Sequence, residues 1–135
     1  FRSLAKLDIS ENQATQQNLK LLQEAYYVPD AMPKEHWSFL VNWTADYINV
    51  LKDQGIDDAD RIQRMNSVNP KFVLRNYLAQ LAIDDAENGD LSMVKDLLIM
   101  LRNPYDEQPE YEKWAGKRRD WAKNRPGCSM LSCSS

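Results

Sequence analysis

Glycine is scarce in this sequence, with four residues among 135. Tight turns depend on glycine, so an all-β fold with many hairpins is disfavoured and helices are expected. No run of about 18 apolar residues occurs, so no membrane span and no membrane partner are predicted. An excess of basic charge is also lacking, because the net charge is −3. A dedicated nucleic-acid-binding domain is usually basic, so no nucleic-acid partner is expected.

Cysteine and histidine are scarcer still. The two cysteines, Cys128 and Cys133, lie within the last eight residues. This is not the disulfide framework of a secreted protein, so a reducing, cytoplasmic compartment is expected. A zinc site would need His36, the only histidine, together with both cysteines and one more ligand. We therefore predict no metal site, and we place His36 at a helix start or on the surface.

No loop of the sequence suits a nucleotide or a calcium ion. The four glycines are too scattered to form a phosphate-binding loop. The acidic segment 84–90 resembles a calcium loop, but Ala86 and Lys95 would occupy ligand positions and cannot supply the oxygens. One histidine also excludes a nucleophile–histidine pair, unless another polypeptide region supplies a partner. The chain is predicted to hold no catalytic residue, no cofactor-binding residue and no metal ligand.

Helix start signals recur along the chain. Six of them combine a capping side chain or a first-turn proline with a following apolar pattern: Ser10, Pro33, Asp58, Asn69-Pro70, Asp90 and Pro109. Ser10 begins a capping box that ends at Gln13. Gly55 and Gly89 are expected to close the helices that precede them. The chain begins with Phe1 rather than methionine, so we expect that a preceding part has been removed.

Apolar residues recur with the period of an α-helix. The clearest stripe is expected to be buried and consists of Trp37, Leu40, Val41, Thr44, Ile48 and Leu51. Two further inward stripes are predicted: Leu74, Tyr77, Leu78, Leu81 and Ala82 in one helix, and Val94, Leu97, Leu98 and Leu101 in the next. The prediction is an all-α fold, with a single domain of five to six helices over residues 1–125 and a mobile tail over 126–135.

Basic and aromatic residues alternate near the end of the predicted domain. The basic members are Lys113, Lys117, Arg118, Arg119, Lys123 and Arg125, and the aromatic members are Trp114 and Trp121. Such a mixture suits single-stranded nucleic acid, but five carboxylates between residues 106 and 120 largely cancel its field. We expect a solvated face whose tryptophans dock on the core. Docking of the basic run against an acidic neighbouring domain is the alternative use.

The tail carries the two cysteines. Cys133 is third from the end, whereas a prenylation signal needs cysteine at the place that Ser132 occupies. An accessible thiol suits redox exchange, so Cys133 and Cys128 are redox candidates. A reduced cysteine without a role remains the alternative on chemistry alone.

Two long strings and the terminus closely resemble the selenoprotein O (SelO, YdiU) family. The strings cover residues 64–80, which include Arg64-Met65-Asn66, Asn69-Pro70-Lys71-Phe72 and Arg75-Asn76-Tyr77, and residues 101–109, which include Arg102-Asn103-Pro104-Tyr105. The terminal string is Ser132-Cys133-Ser134-Ser135. Their order and spacing also match, over about residues 60–135, whereas residues before about 35 are less distinctive.

The resemblance implies a longer parent protein. Such a parent is kinase-like, uses ATP and a divalent metal (Mg²⁺), binds ATP in a flipped orientation and transfers AMP to protein hydroxyls. The family's catalytic lysine, its glutamate partner and its metal-binding residues lie upstream of the matched segment, so none is carried onto this chain. Cys133 matches the position that is selenocysteine in some animal members, which strengthens its redox role and indicates a bacterial-type member.

The chain would then be the distal helical part of a kinase-like C-lobe with a redox tail. Its expected partners are the upstream catalytic lobe of the same polypeptide and, through the parent, protein substrates. We hypothesise that Cys133 forms a reversible disulfide with an upstream cysteine. The alternative is a stand-alone interaction module that binds through Trp114, Trp121 and the basic run. The fragment hypothesis, unlike the module, predicts exposed apolar surface where the missing lobe would sit.

Overall fold

The computed structural model describes residues 2–11, 13–125 and 128. Within these residues it has seven α-helices, three short 3₁₀ helices and no strand, which confirms the predicted all-α class. The chain forms two compact units, Phe1–Asn69 and Pro70–Ser135. None of the described helices is long and apolar enough to cross a lipid bilayer. The tail 126–135 lies outside the described residues apart from Cys128, so its predicted mobility stays a prediction.

The first unit contains four α-helices. They are α1 (Arg2–Ala5), α2 (Gln16–Gln23), α3 (Lys34–Asp53) and α4 (Asp58–Val68), with a 3₁₀ helix at Pro29–Ala31 between α2 and α3. Helix α1 contacts both α2 and α4, and α2 also contacts α3. The short α1 therefore connects α2 with α4, and no start signal predicted it.

Helix α3 buries the second half of the stripe that the sequence predicted, whereas Trp37, Leu40 and Val41 are only partly buried. Thr44 and Ile48 have no solvent exposure and Leu51 is buried. The hydroxyl of Thr44 donates a hydrogen bond to the Leu40 carbonyl at 2.7 Å, so its burial leaves no polar atom unsatisfied. Gly55 closes the helix at φ 62°, a backbone conformation that glycine adopts at little cost.

The predicted cap of the first long helix is wrong. Thr15, not Ser10, caps α2, because its Oγ1 accepts from the Asn18 backbone N–H at 3.1 Å. The Ser10 N–H instead donates to Asp8 Oδ1 at 2.9 Å. The buried Asn18 side chain also pairs with both backbone groups of Asp8, accepting at 2.9 Å and donating at 2.8 Å. These bonds hold the segment around Ser10 outside any helix.

The second unit contains α5 (Asn76–Glu87), α6 (Ser92–Arg102) and α7 (Glu112–Ala115). Short 3₁₀ helices at Pro109–Tyr111 and Asp120–Lys123 stand where a single last helix was predicted. The core is one cluster of buried residues: Phe72, Tyr77, Leu78, Ala82, Leu97, Met100, Ala122 and Cys128. Helices α5 and α6 pack together in this unit.

Asn69-Pro70 does not start a helix. The Asn69 side chain donates to the Met65 carbonyl at 2.7 Å and so ends α4, whereas α5 begins only at Asn76. Leu74 therefore lies before the helix, 49% exposed, and the prediction that it faces the core is wrong. The backbone N–H groups of Lys71 and Phe72, which lie between the two helices, donate to the Pro104 carbonyl and not to a helical acceptor.

Helix α6 presents a different face from the one predicted. Val94 and Leu98 are 43% and 55% exposed, whereas Leu97 is buried and Met100 has no exposure. Met93, Leu97 and Met100 are as well spaced for a helix as the predicted set, because apolar residues surround almost the whole helix. Periodicity alone could not choose between the two faces. The predicted cap is one residue away from the observed one, because Leu91 is the N-cap residue of α6. Asp90 Oδ1 accepts from the N–H of Ser92, the first residue of the helix, at 2.8 Å.

Candidate functional site

Lys71 is the centre of a polar clamp in the second unit. Its Nζ lies 2.5 Å from Glu107 Oε2 and 2.5 Å from Glu112 Oε2, and its side chain is only 15% exposed. The backbone N–H groups of Lys71 and Phe72 both donate to the Pro104 carbonyl, at 2.8 and 3.1 Å. We call Lys71, Pro104, Glu107 and Glu112 the Lys71 clamp. It fixes the segment before α5 to the segment after α6.

The electrostatics of the clamp favour a charged lysine. Burial acts to lower the pKa of Lys71, but the hydrogen bonds and charges of Glu107 and Glu112 outweigh it, so the pKa is raised. A lysine held in the ammonium form by two carboxylates is a poor base and a poor nucleophile. The clamp is therefore suited to a structural role rather than to catalysis.

Gln108 fixes the loop that carries Glu107. Its amide nitrogen donates to the carbonyls of Met100 and Asn103, at 3.1 and 2.7 Å, and the residue is buried. Both carbonyls also accept from backbone N–H groups, those of Asn103 and Asp106, so Gln108 adds a second donor to each at the C-terminal end of α6. Sequence reasoning missed Gln108, because a glutamine among acidic residues is typical of a solvated loop.

Two further bonds fasten the last segment of the described chain. The Arg75 guanidinium donates to the Gly116 carbonyl at 2.5 Å, and the Arg125 guanidinium pairs with Asp84 Oδ2 at 2.5 Å. A hydrogen bond from Gln80, assisted by Arg125, lowers the pKa of Asp84 although desolvation opposes the shift. We refer to the Arg75–Gly116 and Asp84–Arg125 contacts as the straps.

Asp84 belongs to the acidic segment that resembles a calcium loop. Its carboxylate instead forms an ion pair with the Arg125 guanidinium. No group of three or more potential metal ligands comes together within residues 2–11, 13–125 and 128.

The structure describes only one of the two redox candidates, Cys128. Cys128 is 3% exposed and belongs to the core cluster of the second unit, and its thiol is not in a disulfide. Its backbone N–H donates to the Arg125 carbonyl at 3.1 Å, which attaches it to the strapped segment. A thiol buried among apolar side chains is poorly accessible to oxidants. Cys133 lies outside the described residues.

The tryptophans of the basic run pack against neighbouring side chains. Trp114 docks on the core as expected, stacks on Tyr111 at 5.3 Å and carries Lys113 over its ring at 4.7 Å. Trp121 is 44% exposed, yet it meets Tyr77 edge-on at 6.4 Å and Arg125 covers its ring at 5.8 Å. The Trp114 ring is therefore covered by Tyr111 and Lys113, whereas Trp121 remains partly exposed.

A buried arginine organises the first unit. The Arg61 guanidinium donates to the carbonyls of Leu4, Ala5 and Leu7, each at 3.2 Å, and lies 2.6 Å from Asp58 Oδ1. The residue is only 5% exposed. The carbonyls belong to the last residues of α1 and the residues after it, so Arg61 ties that segment to α4. Sequence reasoning missed this role, and the only available signal was the Asp58 three residues earlier.

His36 stands in the first turn of α3, as predicted. Its Nε2 is 2.8 Å from the Tyr26 hydroxyl, and its ring meets Tyr26 and Trp37 edge-on at 5.2 and 5.4 Å. The histidine is half-buried and its polar edge is satisfied. This arrangement is structural and joins the end of α2 to α3.

An open groove of about 610 Å³ runs along α2. Its lining consists of Gln16, Gln17, Leu19, Lys20 and Gln23. These side chains include no carboxylate, thiol or imidazole, so they offer neither a general base nor a metal ligand. We do not assign a chemical role to the groove.

The sequence is similar to those of known proteins of one family. The family model described as "Protein adenylyltransferase SelO" matches residues 1–102. The chain is similar to a protein nucleotidyltransferase YdiU of Rhodopirellula baltica, with 56% identity over 87% of this chain and 22% of the relative. It is also similar to the proteins of that name from Flavobacterium johnsoniae and Methylobacillus flagellatus, at 44% and 48% identity over the whole chain. It covers 26% and 25% of their lengths.

Proposed function

The chain belongs to the protein adenylyltransferase SelO family, and we propose that it is the C-terminal structural and redox-regulatory part of a longer, kinase-like enzyme. That enzyme would transfer AMP from ATP to hydroxyl groups of proteins. The chain spans about a quarter of the length of the curated relatives it matches in full. The chemistry is therefore assigned to the parent, and this chain alone is expected to be inactive.

The observation that carries this proposal is the fastening of the chain up to Cys128. The Lys71 clamp and the two straps hold the segment that precedes Cys128, and Cys128 itself is buried in the core. Cys133 follows five residues later. A chain of five residues spans at most about 18 Å, so Cys133 stays within that distance of a fixed point.

This limit restricts the partner of Cys133. Disulfide-bonded residues have Cα atoms roughly 6 Å apart, so the partner's Cα lies within about 24 Å of the Cys128 Cα. When the bond forms, two thiols lose two protons and two electrons to an oxidant such as oxidised glutathione. The bond would fix the tail against the catalytic lobe and so change its access to ATP or to the protein substrate.

The parent would supply the nucleotide chemistry. ATP and Mg²⁺ would be bound by the upstream lobe, where the resemblance places the family's catalytic lysine and metal-binding residues. The contribution of this chain is to brace that lobe. A cytoplasmic setting, expected from the cysteine content, belongs to the same proposal.

The redox step is tested in the full-length protein. Non-reducing peptide mapping after treatment with oxidised glutathione is expected to find Cys133 bonded to an upstream cysteine. AMP transfer should respond to redox state in the wild type and should not respond in Cys133→Ser. Cys128→Ala is the matched control and should keep the response. A Cys133 that stays free under oxidising conditions would remove the redox part of the proposal.

The interaction-module alternative is less well supported. Its predicted binding face includes Trp114 and Trp121, whose rings contact Tyr111, Lys113, Tyr77 and Arg125 within the same unit. A face that already packs on its own unit offers little apolar area to a partner. Capture of a protein partner by the chain, lost in Trp121→Ala, would restore this alternative.

A further inference from the structure

Helix α3 carries a second apolar face, beside the buried stripe and about 110° around the helix axis from it. Phe39 is 64% exposed, Val50 53% and Trp43 38%. Phe39, Trp43, Tyr47 and Val50 follow one another at steps of four, four and three residues, which places them on one side of a helix. Tyr47 is half-buried and stacks on Trp43 with ring centroids 5.3 Å apart and planes 6° apart. We call these four residues the α3 aromatic face.

Carboxylates border one edge of the α3 aromatic face. Glu35 precedes Phe39 by one turn, and Asp46 and Asp53 follow Trp43 and Val50 by three residues each, so all three project beside the face. All three residues are exposed. Among the described residues, none of the three forms an ion pair. The combination of aromatic surface with an acidic edge fits a partner that presents apolar and basic side chains.

The solvent exposure of Phe39, Trp43 and Val50 on one helix points to a surface that a partner covers. Trp, Tyr and Phe are enriched where proteins bind one another, because they contribute large contact areas. The neighbouring stripe of α3 is already buried through Thr44, Ile48 and Leu51. Tyr47 contacts α4, because its hydroxyl donates to Met65 Sδ at 3.8 Å. Phe39, Trp43 and Val50 are the members of the face that stay exposed. Relatives that match the chain in full are about four times longer, since the chain covers 26% and 25% of them. About three quarters of such a protein is therefore available to cover this face.

We propose that the α3 aromatic face is the surface on which the remaining part of the full-length SelO-family polypeptide packs, through a segment with apolar and basic side chains. This inference rests on the proposed function, because it assumes that the chain works as part of the longer protein. The α3 aromatic face would then be the surface through which this chain braces the catalytic lobe. Phe39 and Trp43 are the central contacts, and the acidic edge sets which segment can bind.

Hydroxyl-radical footprinting of the full-length protein tests the surface directly. Phe39 and Trp43 are expected to be oxidised about tenfold more slowly in the native protein than in guanidinium, as is typical of protected side chains. The protection should not depend on protein concentration. Native labelling of Phe39 in proportion to its 64% exposure would overturn the inference. Protection that appears only at high concentration would also overturn it, in favour of a second copy as the occupant.

Matched variants of the full-length protein provide the second readout. Trp43→Glu is expected to lower the melting temperature and to increase labelling of Phe39. Val68→Glu changes a residue that is 71% exposed on α4 and is not a member of the α3 aromatic face, and it should leave the melting temperature and the Phe39 labelling unchanged. Asp46→Lys combined with Asp53→Lys should increase Phe39 labelling if the partner segment is basic. Unchanged labelling in Trp43→Glu would contradict the proposed contact.

AMP transfer by the same samples separates this inference from the proposed function. A full-length protein that transfers AMP while Phe39 is freely labelled would remove only the docking surface. A protein with Phe39 protected but without AMP transfer would remove the proposed activity and leave the docking surface in place.

Discussion

The backbone N–H of Lys71 donates a hydrogen bond of 2.8 Å to the carbonyl oxygen of Pro104. These residues belong to the two separate strings, 64–80 and 101–109, that carry the resemblance to the SelO family. The Lys71 ammonium extends the contact to Glu107, in the second string, and to Glu112. The strings are thus joined in the folded chain by the Lys71 clamp, which gives their residues a structural role.

Lys71→Met is expected to lower the stability of the chain at neutral pH. The two carboxylates are 66% and 61% exposed, so solvent screening limits the loss to about 1 kcal/mol. Urea denaturation at pH 7 measures this difference. Lys113→Met is a suitable control, because Lys113 lies over the Trp114 ring and outside the clamp.

The contribution of Lys71 should disappear at alkaline pH. Its pKa is raised in the folded state, so the stabilisation is fully present below the unfolded pKa of about 10.4 and is lost as pH rises through the folded pKa. The difference in unfolding free energy between the wild type and Lys71→Met should therefore narrow above about pH 10. A difference that stays constant up to pH 11 or widens would contradict the assigned ion pairs.

Arg61→Lys tests the arginine that ties α4 to the segment after α1. Lysine keeps the charge but cannot reach three carbonyls at once, so buried acceptors lose their donor. We expect a loss of about 3 kcal/mol, measured by thermal or urea unfolding. The exposed Arg64 on the same helix provides the control, because Arg64→Lys should change stability by less than about 0.5 kcal/mol. Equal effects of the two substitutions would show that the guanidinium fork is not important.

Thr15 and Ser10 provide a test of which residue caps α2. Thr15→Ala removes the acceptor of the Asn18 N–H and should cost about 1 kcal/mol. Ser10→Ala keeps the backbone N–H that donates to Asp8 and removes only a hydroxyl bond to that exposed carboxylate, so it should cost less. Chemical denaturation of the two variants measures the difference. A larger loss in Ser10→Ala would restore the capping box that the sequence suggested.

Asp84→Asn should make the chain less sensitive to acid. The pKa of Asp84 is lowered in the folded state, chiefly by Gln80. Its contribution is therefore present above the unfolded pKa of about 3.9 and is lost as pH falls through the folded pKa. Acid titration of the unfolding free energy should show a smaller loss below about pH 4 in Asp84→Asn than in the wild type. Arg125→Met keeps the Gln80 hydrogen bond, so it should retain most of the wild-type loss.

Local patterns in the sequence predicted part of the fold correctly. The second half of the stripe on α3 is buried, and Thr44 and Ile48, which have no solvent exposure, show which face is inward. Gly55 and Gly89 adopt φ of 62° and 86°, which is the conformation that glycine serves at a helix end. Both features depend on residues close together in sequence, so periodicity and end signals were sufficient.

Contacts between distant residues account for most of what the sequence did not reveal. Ser10 looks like a cap, but Asn18 binds the backbone of Asp8 and leaves the capping role to Thr15. Asn69-Pro70 looks like a helix start, but the next amides donate to Pro104. These partners lie ten or more residues apart in sequence and become neighbours only in the folded unit.

The candidate site was the least predictable feature. The family strings drew attention to the residues around Lys71, yet no sequence pattern pairs Lys71 with Glu107 or Arg125 with Asp84. Cys128 was assigned to the tail because it follows Pro126-Gly127, whereas the structure buries it in the core of the second unit. Burial of a residue so near the end of the chain depends on the straps, which are long-range contacts.

The proposal that this chain is a redox-regulatory part of a longer enzyme is tested by AMP transfer from labelled ATP to protein. The transfer is compared between this chain and the full-length protein under reducing and oxidising conditions. Label is expected from the full-length protein alone, in an amount that changes with redox state. Label transferred by the 135-residue chain itself would contradict the proposal that the chain alone is inactive, because it would place the active site within these residues.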